Sequence, residues 1–191
     1  MADTLGNSQL DIIKAPLFRE VKKGEVRKHL INLTVRNELG VLARIATLIA
    51  GKGYNIEGLS VGETHEKGIS QMTLEVIGDD VVIEQVVKQL RKLIDTIKVK
   101  DITDVPHVER ELALIKVYTA TPRARDEVLR LVEIFRAKIV DVSPETYTVE
   151  ITGTEDKIKA FVDLVRPFGI KEMARTGKVA MKREGITQEE D

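Results

Sequence analysis

The segment from His29 to Gly58, HLINLTVRNELGVLARIATLIAGKGYNIEG, contains the pattern of a strand, a tight turn, a helix and a second strand. Apolar residues alternate with polar ones from Ile31 to Arg36, which predicts a half-buried strand. From Val41 the apolar residues recur at the helical period, and a pair of glycines then ends the helix. We therefore expect residues 37–41 to form the turn between strand and helix.

The residues that follow complete a first unit. A second strand is predicted from Tyr54 to Val61, with a bulge at Gly58, and a polar hairpin loop from Gly62 to Gly68. The alternation from Gln71 to Val76 predicts a third strand, in which every second residue is polar.

A second helix and a fourth strand close this unit. Either Asp79 or Asp80 can cap the helix, and Ile97 and Val99 begin the strand. The apolar face predicted for the helix consists of Val82, Ile83, Val86, Val87, Leu90 and Ile94. The order β-α-β-β-α-β predicts a ferredoxin-like unit, with two helices on one face of a four-stranded antiparallel sheet.

The same order then repeats, which predicts an α+β protein of two tandem ferredoxin-like domains. The second unit has Thr121-Pro122-Arg123 in place of the Asn-x-x-Gly turn, so we expect it to share the architecture and not the role. Pro106 marks the boundary, and the last strand, Glu172 to Met181, is expected to break at Gly177. The predicted divisions are an N-terminal extension (1–27), a first domain (28–104), a second domain (109–184) and a tail (185–191).

Composition excludes several classes of protein. The 191 residues carry 30 basic and 31 acidic side chains, so the strong basic excess of most nucleic-acid-binding proteins is absent. There is no cysteine, which excludes disulfides, thiolate zinc sites and a cysteine nucleophile. No apolar run reaches the roughly 18 residues of a membrane span, and the N-terminus lacks a secretion signal. We therefore expect a cytoplasmic protein.

The turn at Asn37-Glu38-Leu39-Gly40-Val41 is the strongest candidate for a binding site. The free N–H groups and positive dipole end of the following helix can receive a carboxylate. Gly40 lets a ligand approach the backbone, and the Asn37 side chain offers both a donor and an acceptor. Taken alone, an Asn-x-x-Gly sequence more often serves only to make a turn.

Longer stretches resemble a known family. RNELGVLARIATLIAGKGYNIEGLSV and QMTLEVIGDDVVIEQVVKQLRKLI, and later HVERELALIKV and FRAKIVDVSPETYTVEITGTEDKIKAF, resemble the small regulatory subunit of acetolactate (acetohydroxyacid) synthase. The likeness covers residues 28–183, and its first unit is similar to an amino-acid-binding ACT domain. It leaves residues 1–27 without an explanation.

The resemblance implies a regulatory chain with a catalytic partner. In this family a separate large subunit holds thiamine diphosphate and Mg²⁺, usually with FAD, and condenses two pyruvates, or pyruvate with 2-oxobutyrate. The small subunit raises that activity and confers feedback inhibition by valine, in the synthesis of valine, leucine and isoleucine. The resemblance implies no cofactor in this chain, and a homodimer with the effector between two ACT domains. The matching positions are Asn37, Gly40, Val41 and Leu42 from one chain and Asn55 and Ile56 from the other.

Other interpretations of the sequence are weaker. A stand-alone amino-acid sensor without an enzyme partner is the main alternative. RNA recognition on this fold needs aromatic residues on the central strands, which are absent here. We expect solvated or capping roles for His29, His65 and His107, and a solvated tail for the basic cluster of Lys22-Lys23 and Arg27-Lys28.

Overall fold

The structure, a computed structural model, describes residues 24–184. Most of the predicted extension, including Lys22-Lys23, and the predicted tail at 185–191 lie outside the described residues. No helix within residues 24–184 is long and apolar enough to cross a membrane.

The first unit is one antiparallel sheet with two helices on one face. Its strand order is β2-β3-β1-β4, the order of a ferredoxin-like fold. The elements are β1 (Arg27–Arg36), α1 (Val41–Ala50), β2 (Ile56–Glu63), β3 (Ile69–Gly78), α2 (Asp80–Leu90) and β4 (Thr96–Asp101). The pairing of β2 with β3 shifts register between Ile56 and Gly58, which confirms the predicted bulge, although β2 starts and ends two residues later than expected.

The second unit repeats this architecture with strand order β6-β7-β5-β8. Its elements are β5 (His107–Tyr118), α3 (Pro122–Ile134), β6 (Lys138–Val142), β7 (Thr146–Gly153), α4 (Glu155–Val165), a 3₁₀ turn (Arg166–Phe168), β8 (Ile170–Arg175) and β9 (Val179–Lys182). The predicted α+β fold of two tandem ferredoxin-like units is confirmed. Gly177, with φ +74°, separates β8 from β9, and β9 pairs with the first residues of β5.

Each sheet packs against its own helices to form a core. In the first unit the strand positions Ile31, Leu33 and Val35 meet Ile45 and Ile49 of α1, and all five are fully buried. The second core contains an edge-to-face ring pair, Phe135 and Phe161, with centroids 5.4 Å apart. Full burial of one large apolar side chain stabilises the folded state by about 1.5–3 kcal/mol. The buried apolar positions of the strands and helices therefore stabilise both units.

Local interactions explain where α2 begins and ends, and one residue predicted for its buried face is wrong. Asp79 caps α2 by accepting a hydrogen bond from the Val82 N–H at 2.8 Å. The helix ends at Leu90, however, and Ile94 is 85% exposed, so it does not belong to the buried face. The Leu93 N–H bonds to the Leu90 carbonyl, three residues back. This tighter turn changes the direction of the following side chains.

The open face of the first sheet is partly covered by β9, a contact that the strand pattern does not predict. The Asn32 side chain donates to the Ala180 carbonyl at 2.8 Å, and the Ala180 N–H donates to the Thr73 hydroxyl at 3.4 Å. Thr73 is consequently buried, with 4% of its surface exposed. Glu75, which is 8% exposed, contacts Lys178 just before β9. Alternation identified the two faces of β3 correctly, and the second unit then buries the polar one.

Two expectations for the start of β1 are wrong. Arg27 and Lys28 are not a solvated tail. Arg27 binds Asp80 and Asp104, and Lys28 binds Glu75 and Glu155 at 2.8 and 2.9 Å.

His29 is also not solvated. It is fully buried, and its ring nitrogens lie 3.5 Å from carboxylate oxygens of Asp80 and Asp101. His65 is 92% exposed, as expected for a loop histidine.

Candidate functional site

The turn between β1 and α1 is exposed and held by backbone hydrogen bonds. The Asn37 N–H donates to the Gly68 carbonyl at 2.8 Å, which fixes the end of β1 against the β2–β3 loop. Residues 36–40 are all exposed, and Leu39 is completely so. Within the part of the chain that the structure describes, the Asn37 side chain makes no hydrogen bond, so its amide is available to a ligand.

Gly40 occupies the N-cap position of α1 in the left-handed conformation, with φ +83°. No side chain caps this helix, and the Arg44 N–H makes the first helical bond to the Gly40 carbonyl at 2.9 Å. The N–H groups of a first helical turn have no intrahelical acceptor, and the helix dipole is positive there. The turn can therefore bind a carboxylate through the backbone.

Arg44 is a functional candidate that the sequence did not reveal. One nitrogen of its guanidinium lies 3.3 Å from the place that a Cβ of residue 40 would occupy. The other terminal nitrogen binds the Asp95 carboxylate at 2.5 Å, and Asp95 is only 7% exposed. Arg44 is four residues after Gly40, and residues at this spacing lie on the same side of a helix. This spacing is the feature of the sequence that could have identified Arg44.

The predicted residues of the turn do not all present side chains to a ligand. Val41, one of the predicted effector-binding positions, is 4% exposed and belongs to the first core, so its side chain is not available to a ligand. Leu42 is 40% exposed and can contact an aliphatic group. The Val41 N–H donates to the Glu38 carbonyl at 3.3 Å, so the N–H groups of the first helical turn that can face a ligand are those of Leu42 and Ala43.

Asn55 and Ile56 lie at the opposite end of the first sheet from Gly40. Ile56 pairs with Val76, which pairs with His29 near the start of β1, whereas the turn follows Arg36. His29 and Arg36 are seven residues apart on β1, which is about 24 Å at 3.4 Å per residue, and this is the separation between Ile56 and the turn along the strand direction. One chain therefore does not bring the six predicted residues together.

A charged cavity of about 320 Å³ lies between the two units. Lys178 of the second unit is 15% exposed, and its ammonium lies 2.8 Å from Glu155 and 3.4 Å from Glu75 of the first unit. Arg175 binds Glu111 through two hydrogen bonds of 2.7 and 2.5 Å.

These contacts shift several pKa values. Hydrogen bonds from Lys178 and then Lys28 lower the pKa of the Glu155 carboxyl to about 2. Burial lowers the pKa of Lys178, but the hydrogen bond to Glu155 and the charges of Glu75, Glu109 and Glu155 together outweigh it, so the pKa is raised. Glu155 and Lys178 thus both stay ionised over the neutral range.

Comparisons with known proteins agree on one family for both units. Residues 31–98 match the family model described as an AHAS small subunit-like ACT domain, and residues 110–184 match the small subunit of acetolactate synthase. The acetolactate synthase small subunit of Aquifex aeolicus is 76% identical over 191 residues, covering 100% of this chain and 99% of that protein. That alignment includes residues 1–27, so the relative shares the N-terminal extension.

A solved structure gives the same result. The crystal structure of the acetolactate synthase small subunit from Thermotoga maritima superimposes with a TM-score of 0.77 at 44% identity. The superposition covers 84% of this chain and 99% of the Thermotoga maritima chain. The chain belongs to the family of acetolactate synthase small subunits.

Proposed function

We propose that this chain is the non-catalytic regulatory subunit of an acetolactate synthase in the cytoplasm. It stimulates a catalytic large subunit and makes that subunit sensitive to feedback inhibition by valine. The observation that carries the proposal is the match over the full length to a protein named acetolactate synthase small subunit. The stimulation and the valine response are the parts that need an assay.

The effector site is proposed at the α1 turn, in a first domain spanning residues 28–104. A free amino acid has a carboxylate, which suits the open N–H groups of the turn and the guanidinium of Arg44. Its ammonium group can bind the Asn37 side-chain oxygen, and a branched side chain can contact Leu42. Of these groups, the Arg44 guanidinium lies beside the position that a side chain on residue 40 would occupy, at 3.3 Å from its Cβ.

The other part of the site comes from a second copy of the chain. Asn55 and Ile56 lie about 24 Å from the turn in one protomer, as derived above from strand spacing. We therefore propose a homodimer in which the turn of one protomer meets Asn55 and Ile56 of its partner. The exposed amide of Asn55, bonded to Glu57 at 3.0 Å, is free to exchange that contact for a ligand.

The catalytic subunit is expected to supply the chemistry. We propose that thiamine diphosphate, Mg²⁺ and FAD bind to the large subunit and not to this chain. The second domain of this chain is proposed to span residues 109–184. Within residues 24–184 no group of three or more histidine or carboxylate side chains is arranged to hold a metal ion.

The test is reconstitution with the catalytic subunit from the same source. Acetolactate formation is measured for each chain alone, for the mixture, and for the mixture with valine, leucine or isoleucine. We expect no activity from this chain alone, increased activity in the mixture, and inhibition by valine. Pyruvate condensation by the purified chain, or a mixture no more active than the catalytic subunit, would contradict the proposal. Amino-acid binding without any effect on the enzyme would favour a stand-alone sensor.

A further inference from the structure

The corner between β8 and β9, residues Thr176–Lys178, is the part of the second unit that lies against β2. Gly177 has φ +74°, and a Cβ built on it would lie 3.1 Å from the Leu59 carbonyl oxygen. A side chain there would be tighter than ordinary van der Waals contact and would force the corner away from β2. The backbone of the second unit thus lies directly against β2, which begins at Ile56, one residue after Asn55.

Lys178 fixes this corner through three carboxylates from both units. Its ammonium lies 2.8 Å from Glu155, 3.4 Å from Glu75 and 3.6 Å from Glu109. Glu75 belongs to β3 of the first unit, and the other two carboxylates belong to the second unit. Because the lysine is 15% exposed, water competes less for these contacts than at an open surface.

The contacts continue from the corner to the proposed effector site. The bulge at Gly58 lies against Glu75, since a Cβ on Gly58 would be 3.4 Å from the Glu75 Cβ and 3.6 Å from its carboxylate. Gly58 is two residues from Ile56. A displacement of β2 at Ile56 would therefore change the position of Glu75, and with it the contacts of Lys178.

We propose that Lys178 is a positioning residue for the valine response: it holds the β8–β9 corner on β2, so that effector binding at Asn55 and Ile56 changes the placement of the second unit. This inference rests on the proposed effector site. The effector itself does not touch Lys178. Allosteric coupling of this kind requires that both sites bias one shared structural element, which here is the seat of the corner on β2.

Removal of the Lys178 charge need not unfold the chain. Lys28 also binds Glu75 and Glu155, at 2.8 and 2.9 Å, so both carboxylates keep a cation when Lys178 is lost. A Lys178→Met variant retains most of the aliphatic stem and its packing. Lys178→Arg restores the cation. Lys171, an exposed lysine in β8 with no ion pair among residues 24–184, gives the matched control Lys171→Met.

The experiment compares valine binding with valine inhibition. Binding to the full chain is measured by titration calorimetry, and inhibition is measured on the complex with the catalytic subunit. We expect Lys178→Met to bind valine as the wild type does, while half-maximal inhibition needs about tenfold more valine. Lys178→Arg and Lys171→Met should retain the wild-type response. Gly177→Ala, which disturbs the corner without changing charge, should reproduce the loss of inhibition with binding retained.

The outcomes separate this inference from the proposed function. A wild-type chain that does not bind valine would overturn the effector site itself, and the inference with it. Wild-type binding with normal inhibition in Lys178→Met and Gly177→Ala would overturn only the role of the corner. Equal loss of binding and inhibition in both variants would also overturn it, because the corner would then be part of the binding site or of the fold.

Discussion

Gly40 has two properties that bear on ligand binding, and they can be separated by substitution. Its left-handed backbone costs other residues about 1–2 kcal/mol, but aspartate and asparagine tolerate this conformation better than most. Its missing side chain leaves space beside the first-turn N–H groups and Arg44. Aspartate and asparagine differ little in size and shape, so a comparison of the two isolates the effect of charge.

We expect Gly40→Asp to abolish valine inhibition while stimulation of the catalytic subunit persists. The new carboxylate would occupy the ligand's space, bind the Arg44 guanidinium and repel the effector's carboxylate. Gly40→Asn should retain more of the response, since it adds bulk without charge. Inhibition curves of the reconstituted complex measure both. If Gly40→Asp stays as valine-sensitive as the wild type, the effector does not bind at this turn.

Arg44 should contribute to binding through the second arm of its guanidinium. Arg44→Lys keeps a cation for Asp95 and loses the donor beside Gly40, because an ammonium does not reproduce the planar fork. We expect valine binding to weaken by about 1.5–3 kcal/mol, the range for a lost hydrogen bond to a charged group. Arg36→Lys, at an exposed position one residue before Asn37, is the control. Calorimetry that shows equal affinity for both variants and the wild type would exclude Arg44 from the site.

Among single residues, the ones whose roles could be predicted from the sequence are those whose structure is set by residues close to them in the chain. The Asn37 and Gly40 turn follows from a strand period that changes to a helix period. The contact of Arg44 with Asp95 joins α1 to the segment before β4, 51 residues later in the chain. No local pattern reports such a pair, and the same holds for His29 between its two aspartates.

At the scale of elements, periodicity predicted both units because each helix and strand buries one face. It placed the core positions of β1 correctly, and also Val41, Ile45 and Ile49 of α1, but Leu42 of the same apolar pattern is 40% exposed. It could not show that β9 covers the second face of the first sheet, since alternation identifies a polar face and not its surroundings. Thr73 is buried beneath β9, and Glu75 is buried beside Lys178, the residue before that strand. Lys178, a cation that pairs with Glu75, is 103 residues later in the chain, so no local pattern could have indicated this contact.

The Glu155 contacts predict a dependence of stability on pH. The folded-state pKa of Glu155 is lowered to about 2, below the value of about 4.3 for a free glutamate. A lowered pKa means that its contribution is present above pH 4.3 and is lost as the pH falls towards 2. We expect Glu155→Gln to be less stable than the wild type at pH 6, with the difference shrinking at pH 3. Denaturant unfolding at both pH values measures this, and a constant difference would contradict it.

At the scale of the whole molecule, the arrangement of the effector site implies a property of mixed dimers. The turn at Gly40 and the residue Asn55 lie at opposite ends of the first sheet, as the register of β1, β2 and β3 shows. If a site takes its turn from one protomer and Asn55 from the partner, a Gly40→Asp chain and an Asn55→Ala chain each form dimers with two defective sites. A mixed dimer of the two variants combines both defects in one site and leaves the other site intact.

We therefore expect valine binding to return when the two variants are unfolded and refolded together. Calorimetry on the mixture should show one site per mixed dimer with the wild-type affinity, while each variant refolded alone shows none. Sedimentation at micromolar concentration should show dimers or larger species in all three samples, because the unpaired edges of a four-stranded sheet favour association. A site contained within one protomer would give no recovery, since every chain in the mixture carries a defect. Failure of the mixture to bind valine, with mixed dimers demonstrated by mass spectrometry, would exclude the shared site.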